Sequence, residues 1–136
     1  MTVAVSTNRA GLERAIASWN AGDYDAYLAL YAEDAVLHGY PGNATGRAGA
    51  REIYAPHWEA FPGSTIELDE VIEVQDFLAV RFVYSGTHLG PFGPHPPSGR
   101  SFRLVGNTLM RLRDGVAVER WAAPAEPNLL EQLGLE

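Results

Sequence analysis

The chain has 136 residues, a formal net charge of −7, 46% hydrophobic residues and no cysteine. Without cysteine there are no disulfides, thiolate nucleophiles or cysteine metal sites. The ten basic residues are all Arg. An acidic chain with no basic cluster argues against nucleic acid and anionic membranes as partners, and the lack of Lys removes Schiff-base chemistry.

Length and hydrophobic content predict a single domain over residues 1–136 with its own core. No apolar run reaches the ~18–20 residues of a membrane span. The start, MTVAVSTNRAGLERA, lacks the basic and apolar regions of a secretory signal. A cysteine-free chain of this kind is expected in the cytoplasm.

Ser6, Thr7 and Asn8 form a helix N-cap cluster, and Leu12, Ala15, Ile16 and Trp19 follow at helical spacing until Asn20-Ala21-Gly22. Asp23 is placed to cap a second helix carrying Tyr24, Tyr27, Leu28, Leu30 and Tyr31. Glu33 to Tyr40 reads as a short strand. A third helix is expected from about Ala50 to Phe61, with Pro56 marking a break or a late start. Ile66, Leu68, Ile72 and Val74 share one strand parity, as do Leu78, Val80, Phe82 and Tyr84. After the Pro- and Gly-rich stretch GTHLGPFGPHPPSGR, the residues Phe102, Leu104, Gly106, Thr108, Met110 and Leu112 form a further alternating face. Asp114-Gly115 signals a hairpin into a last strand, Val116 to Ala122. Helices followed by a strand meander predict an α+β domain, a cone-shaped curved antiparallel sheet wrapped around three N-terminal helices, with a small-molecule pocket between them.

Several segments resemble the SnoaL-like polyketide cyclases of the nuclear transport factor 2-like (ketosteroid isomerase-like) superfamily. They are WNAGDYDAYLALYAEDAVLH, FPG at 61–63, LAVRFVYSGTHLGPFGPHPPSGR, RLRDGVAVERW and LLEQLG, and together they cover nearly the whole chain. The resemblance implies a cofactor-free cyclase or isomerase acting on a hydrophobic, carbonyl-containing, polyketide-like molecule, in antibiotic or secondary metabolism. It also implies a homodimer formed through the outer sheet face. Members of the family that resemble this chain place a general acid/base Asp four residues after the tryptophan of the last strand; here that position is Ala125. A non-catalytic binding or accessory protein, or an epoxide hydrolase or hydroxylase relative, is the alternative.

His88 continues the inward parity of Leu78, Val80 and Phe82, so it is the first candidate for moving a proton; holding the hairpin by hydrogen bonds is the competing role. Glu126, beside Ala125, is the candidate replacement acid. His38 and Tyr40, two residues apart, are expected on one face at the pocket mouth. Trp19, Tyr27, Tyr31, His57, Trp58 and Phe61 on the helices supply core and pocket wall, with Tyr27 or Tyr31 able to donate to a substrate oxygen. Tyr84, Thr108, Met110 and Trp121 are the strand residues expected to contact substrate. Arg81, Arg103 and Arg111 share an odd parity with Glu119 and are read as an outer-face charge ladder, because charged residues are rarely buried. The four histidines show no close pair at ligand spacing, so no metal is expected.

Overall fold

A computed structural model describes residues 6–40, 44–122 and 126–135, with the side chains of Glu126 and Pro127 outside the description. Helix α1 (Thr7–Asn20) starts where the Ser6 hydroxyl accepts the Arg9 N–H at 3.0 Å. Helix α2 (Tyr24–Leu28) is capped by Asp23, whose carboxylate accepts the Ala26 N–H at 3.2 Å. It has only five residues, so Tyr31 opens strand β1 (Tyr31–His38) instead of extending the helix as expected. Helix α3 (Gly46–Ala60) runs through Pro56 without a break. Proline there removes one N–H and leaves the Glu52 carbonyl without its usual helical donor, yet the flanking turns hold.

Strands β2 (Thr65–Val74), β3 (Phe77–Thr87), β4 (Ser101–Arg113) and β5 (Val116–Ala122) follow, and α4 (Glu126–Leu133) closes the chain. The sheet order is β1-β5-β4-β3-β2. β2 to β5 pair antiparallel, but β1 pairs parallel with β5, so the sheet is mixed where a purely antiparallel one was expected. The Asp114-Gly115 hairpin has both residues at positive φ, 52° and 82°, the geometry that a tight two-residue turn needs.

The inner sheet face brings Leu78, Val80, Tyr84, Phe102, Leu104, Met110 and Leu112 against Leu12, Ala15, Trp19, Tyr27 and Leu28, all buried. The expected alternation holds along β4. It fails in β2, where the pairing shifts between Leu68 and Glu70. That bulge exchanges the faces, leaving Ile72 and Val74 more than half exposed while Val71 turns inward.

β5 pairs only with the Thr108–Arg113 half of β4. Beside the other half sits α4, with Leu129 and Leu133 buried. The Gln132 amide completes the strand edge. Its Oε1 accepts the Arg103 N–H at 2.8 Å and its Nε2 donates to the Arg103 carbonyl at 3.0 Å.

Candidate active site

The decisive local feature is a bulge in β5. Leu112 pairs with Ala117 and Arg111 pairs with Glu119, so Val118 is an extra residue. One extra residue reverses the side-chain alternation after it. Ala117 and Arg120 are therefore both buried, while Glu119 and Trp121 turn to the outer face. Simple parity from Trp121 would have sent Arg120 outward.

Arg120 is only 8% exposed. Its Nε donates to the Thr108 hydroxyl at 3.0 Å, and its Nη1 donates to the Tyr31 and Tyr54 hydroxyls at 2.5 and 2.9 Å. Thr108 spends its own hydrogen on the Trp121 carbonyl, 2.7 Å away, so towards Arg120 it can only accept. Tyr27 lies 2.8 Å from Tyr31, and Tyr40 lies 2.9 Å from Tyr54, oxygen to oxygen. Burial raises the pKa of Tyr27, Tyr40 and Tyr54, so these phenols stay protonated. Burial disfavours the Arg120 charge, but the surrounding tyrosines more than offset that, so the guanidinium stays protonated too.

Tyr54 stands on α3, and one turn further along lies His57, also facing the space above the sheet. Its Nδ1 is 3.1 Å from the Tyr84 hydroxyl. Burial lowers the His57 pKa to about 4, so its imidazole is neutral near pH 7 and able to accept a proton. Burial holds the Tyr84 phenol well above its ordinary value.

These groups line a cavity of about 1280 Å³ between α3, α4 and the inner sheet face. Trp19, Tyr27, Tyr40, Phe82, Tyr84 and Phe92 form its aromatic wall, and Arg120 and His57 supply charged and titratable edges. A much smaller void, about 30 Å³, lies behind Arg120 among Leu12, Ile16, Thr108 and Met110. It has room for about one water and no more. Tyr27, Ile66, Phe82 and Arg120 line both spaces and form the wall between them.

Of the residues expected at the site, Trp19, Tyr27, Tyr40 and Tyr84 line the large cavity. Tyr31 is fully buried and reaches the site through its bond to Arg120. Thr108 supports Arg120, and Thr108 and Met110 border only the small void. Phe61 is core, packed on Phe102 at 4.7 Å and Phe92 at 5.3 Å. Trp58 stacks on Tyr24 at 4.3 Å, outside the lining.

His38 and Trp121 stack on each other at 5.0 Å on the outer face, where His38 Nε2 meets Glu119 at 2.7 Å. The expected pairing of His38 with Tyr40 fails because Gly39, at φ 84°, turns the chain between them. His88 is fully buried but does not line the cavity. Its Nδ1 accepts the Ser98 N–H at 3.0 Å and lies 2.9 Å from the Ser98 hydroxyl. The His88 backbone N–H donates to the Arg100 carbonyl at 2.8 Å. Burial lowers the His88 pKa, and its position is that of a hairpin tie. Ala125 lies outside the described residues, as does the Glu126 side chain, whose backbone begins α4.

Sequence reasoning missed Arg120 and Tyr54, and placed His57 only among the aromatic residues of the helices. The outer-ladder reading does hold for Arg81, 3.1 Å from Asp69, and for Arg111, 3.4 Å from Glu119. Among the described residues no cluster of three His, Asp or Glu side chains could hold a metal ion. No helix among them is long and apolar enough to cross a membrane.

A family model for the SnoaL-like domain matches residues 12–120. The chain belongs to the SnoaL-like domain family. Among solved structures, it is similar to IdmH, a proposed polyketide cyclase from Streptomyces antibioticus, at 30% identity and a TM-score of 0.79, covering 96% of this chain and 100% of that one. It is also similar to AclR, a proposed hydroxylase from Streptomyces galilaeus, at 25% identity and a TM-score of 0.81, covering 93% and 95%. A SnoaL-like polyketide cyclase proposed from Jannaschia shares the fold at 21% identity and a TM-score of 0.81, covering 99% of each chain. No curated protein matches the chain. The SnoaL-like fold is thus shared with proteins proposed as cyclases and as a hydroxylase, and fold alone does not choose between reactions.

Proposed function

We propose that this SnoaL-like protein is an enzyme that closes or isomerises a hydrophobic, carbonyl-containing, polyketide-like molecule without a cofactor. One observation carries the reading: a large aromatic cavity has a neutral imidazole, His57, and a buried cation with phenol partners, Arg120 with Tyr31 and Tyr54, on its walls. Enolisation next to a carbonyl needs those two things. A base removes the α-proton, and fixed donors stabilise the charge that builds on oxygen. His57 takes the proton and returns it after the new bond or double bond is placed. Arg120 and Tyr54 hold the enolate oxygen. The aromatic walls confine the substrate to one folded conformer, which lowers the barrier through orientation. In this scheme His57, not His88, is the proton carrier. The likeness to IdmH supports ring closure as the reaction type.

The test uses 2-tetralone in deuterated buffer, with α-deuteration followed by proton NMR. The wild type is expected to exceed the buffer rate, and His57→Gln to fall about 10²-fold or more towards it. A wild type no faster than buffer, with 2-tetralone bound, would make the cavity a binding site and remove the catalytic reading.

Two further features belong to the same proposal. The protein works in the cytoplasm, in keeping with its lack of cysteine. Two copies pair through the outer sheet face. Ile72, Ala79, Leu109, Trp121 and His38 lie in one register row across all five strands there, and Ile72 and Leu109 are exposed. A row of that kind is apolar enough to seat a second copy.

A further inference from the structure

The charge balance around Arg120 leaves one group without a counterpart. The ion pairs among the described residues involve Arg9, His38, Arg51, Arg81 and Arg111, and none involves Arg120. Every acceptor bonded to it is a hydroxyl oxygen, and none is a carboxylate. Tyr27, Tyr40 and Tyr54 are held protonated by burial and supply no negative charge. No carboxylate among the described residues pairs with this guanidinium inside the fold.

A guanidinium has five N–H donors. Nε and Nη1 use three of them on Thr108, Tyr31 and Tyr54, and Nη2 bonds to none of the described residues. Arg120 lines the cavity, and Glu52 is the one described carboxylate that lines it too. Glu52 lies on an exposed part of α3 and makes no ion pair with Arg120. Burying a charge without a partner is costly, and a fold that holds it fixed at a cavity wall is preorganised for an incoming opposite charge. The rest of the wall sets aromatic rings such as Trp19, Phe82, Tyr84 and Phe92 among small and aliphatic residues, which suits a flat apolar body.

We propose that the cavity binds a planar, largely apolar ligand that is already an anion when it enters, with its oxyanion paired to the free edge of Arg120. This deepens the proposed function by naming the substrate's charge state, and it rests on that reading of the cavity. The substrate would carry an ionised acidic oxygen, such as a carboxylate or an acidic phenol, beside the carbonyl on which His57 acts.

Two probes with one ring skeleton test it: 1-anilinonaphthalene-8-sulfonate, which is anionic, and N-phenyl-1-naphthylamine, which is neutral. Both are titrated by fluorescence against wild type and Arg120→Met, with folding checked by far-ultraviolet circular dichroism. Wild type is expected to bind the anion at least about tenfold tighter, the shift of a single charge-assisted contact. In Arg120→Met the ratio should collapse towards one through loss of anion affinity, with the neutral probe little changed. Equal affinities in wild type, or a preference that survives Arg120→Met, would overturn the proposal. If Arg120→Met does not fold, the wild-type ratio decides, and Arg120→Gln repeats the comparison. Binding of the neutral probe without a preference for the anion would defeat this inference alone. Binding of neither probe would defeat the reading of the cavity as well.

Discussion

His57 is half-buried and His88 fully buried, and desolvation lowers both pKa values, but they differ in what surrounds them. His57 shares the cavity wall with Tyr54 and Tyr84, whereas His88 is tied to Ser98 and Arg100. The sequence made His88 prominent because an unbroken strand alternation points it inward, and inward it does point. Alternation alone cannot say whether an inward residue meets a cavity or a packed hairpin. His57 was legible only as one of several aromatic helix residues, since its value depends on which turn of α3 overhangs the open half of β4.

The pKa of His57 makes a prediction about stability. Its folded pKa is about 4, against an ordinary value of 6.5, so the unfolded chain binds the extra proton between those limits. The contribution is intact above pH ~6.5 and is lost as pH falls towards ~4, in all about 3 kcal/mol. Denaturant unfolding of wild type should therefore weaken faster over that window than that of His57→Gln. Parallel pH dependences in the two proteins would show that His57 is not held neutral.

At the scale of elements, two bulges and one glycine set the site. The bulge at Val118 carries Arg120 inside and Trp121 outside, reversing the expected placement of Trp121. The bulge near Asp69 does the same for Ile72 and Val74. Neither has a signature in the sequence, because a bulge is fixed by the partner strand's register and not by local propensity. The strands, the capped helices and the Asp114-Gly115 hairpin were legible because each depends on neighbours in the chain.

Gly39 is the clearest element-scale device. It sits at φ 84°, and a Cβ there would fall 1.8 Å from the Ala122 carbonyl oxygen. Its turn separates His38 on the outer face from Tyr40 at the cavity. Gly39→Ala should lose more than the ~1–2 kcal/mol of the left-handed conformation alone. It should also weaken binding of N-phenyl-1-naphthylamine by moving Tyr40. Unfolding curves and the fluorescence titration read these separately. An unchanged midpoint in urea would contradict the tight packing of β1 on β5 at this point.

Over the whole molecule, the sheet divides two environments. Its inner face and helices enclose aromatic surface around one buried cation, while the outer face carries the Arg81 and Arg111 ion pairs and the Trp121 row. The α+β class was legible because helical periods give way to a run of strand periods along the chain, and the SnoaL-like family through the resemblance of segments such as GTHLGPFGPHPPSGR and RLRDGVAVERW. The polar centre of the cavity was not. Arg120 is buried against the general tendency of charged residues, and only the folded arrangement of four tyrosines from α2, β1, α3 and the turn after β1 makes that tolerable.

The most direct measurement is a side-chain ¹H–¹⁵N NMR titration of uniformly labelled protein with 1-anilinonaphthalene-8-sulfonate near pH 7. The arginine and histidine nitrogens are assigned by Arg120→Gln, His57→Gln and His88→Gln. A site centred on Arg120 and His57 predicts that their resonances shift with the ligand, that His57 reads as neutral, and that His88 stays in place. Movement of the His88 ring with Arg120 and His57 unmoved would contradict it.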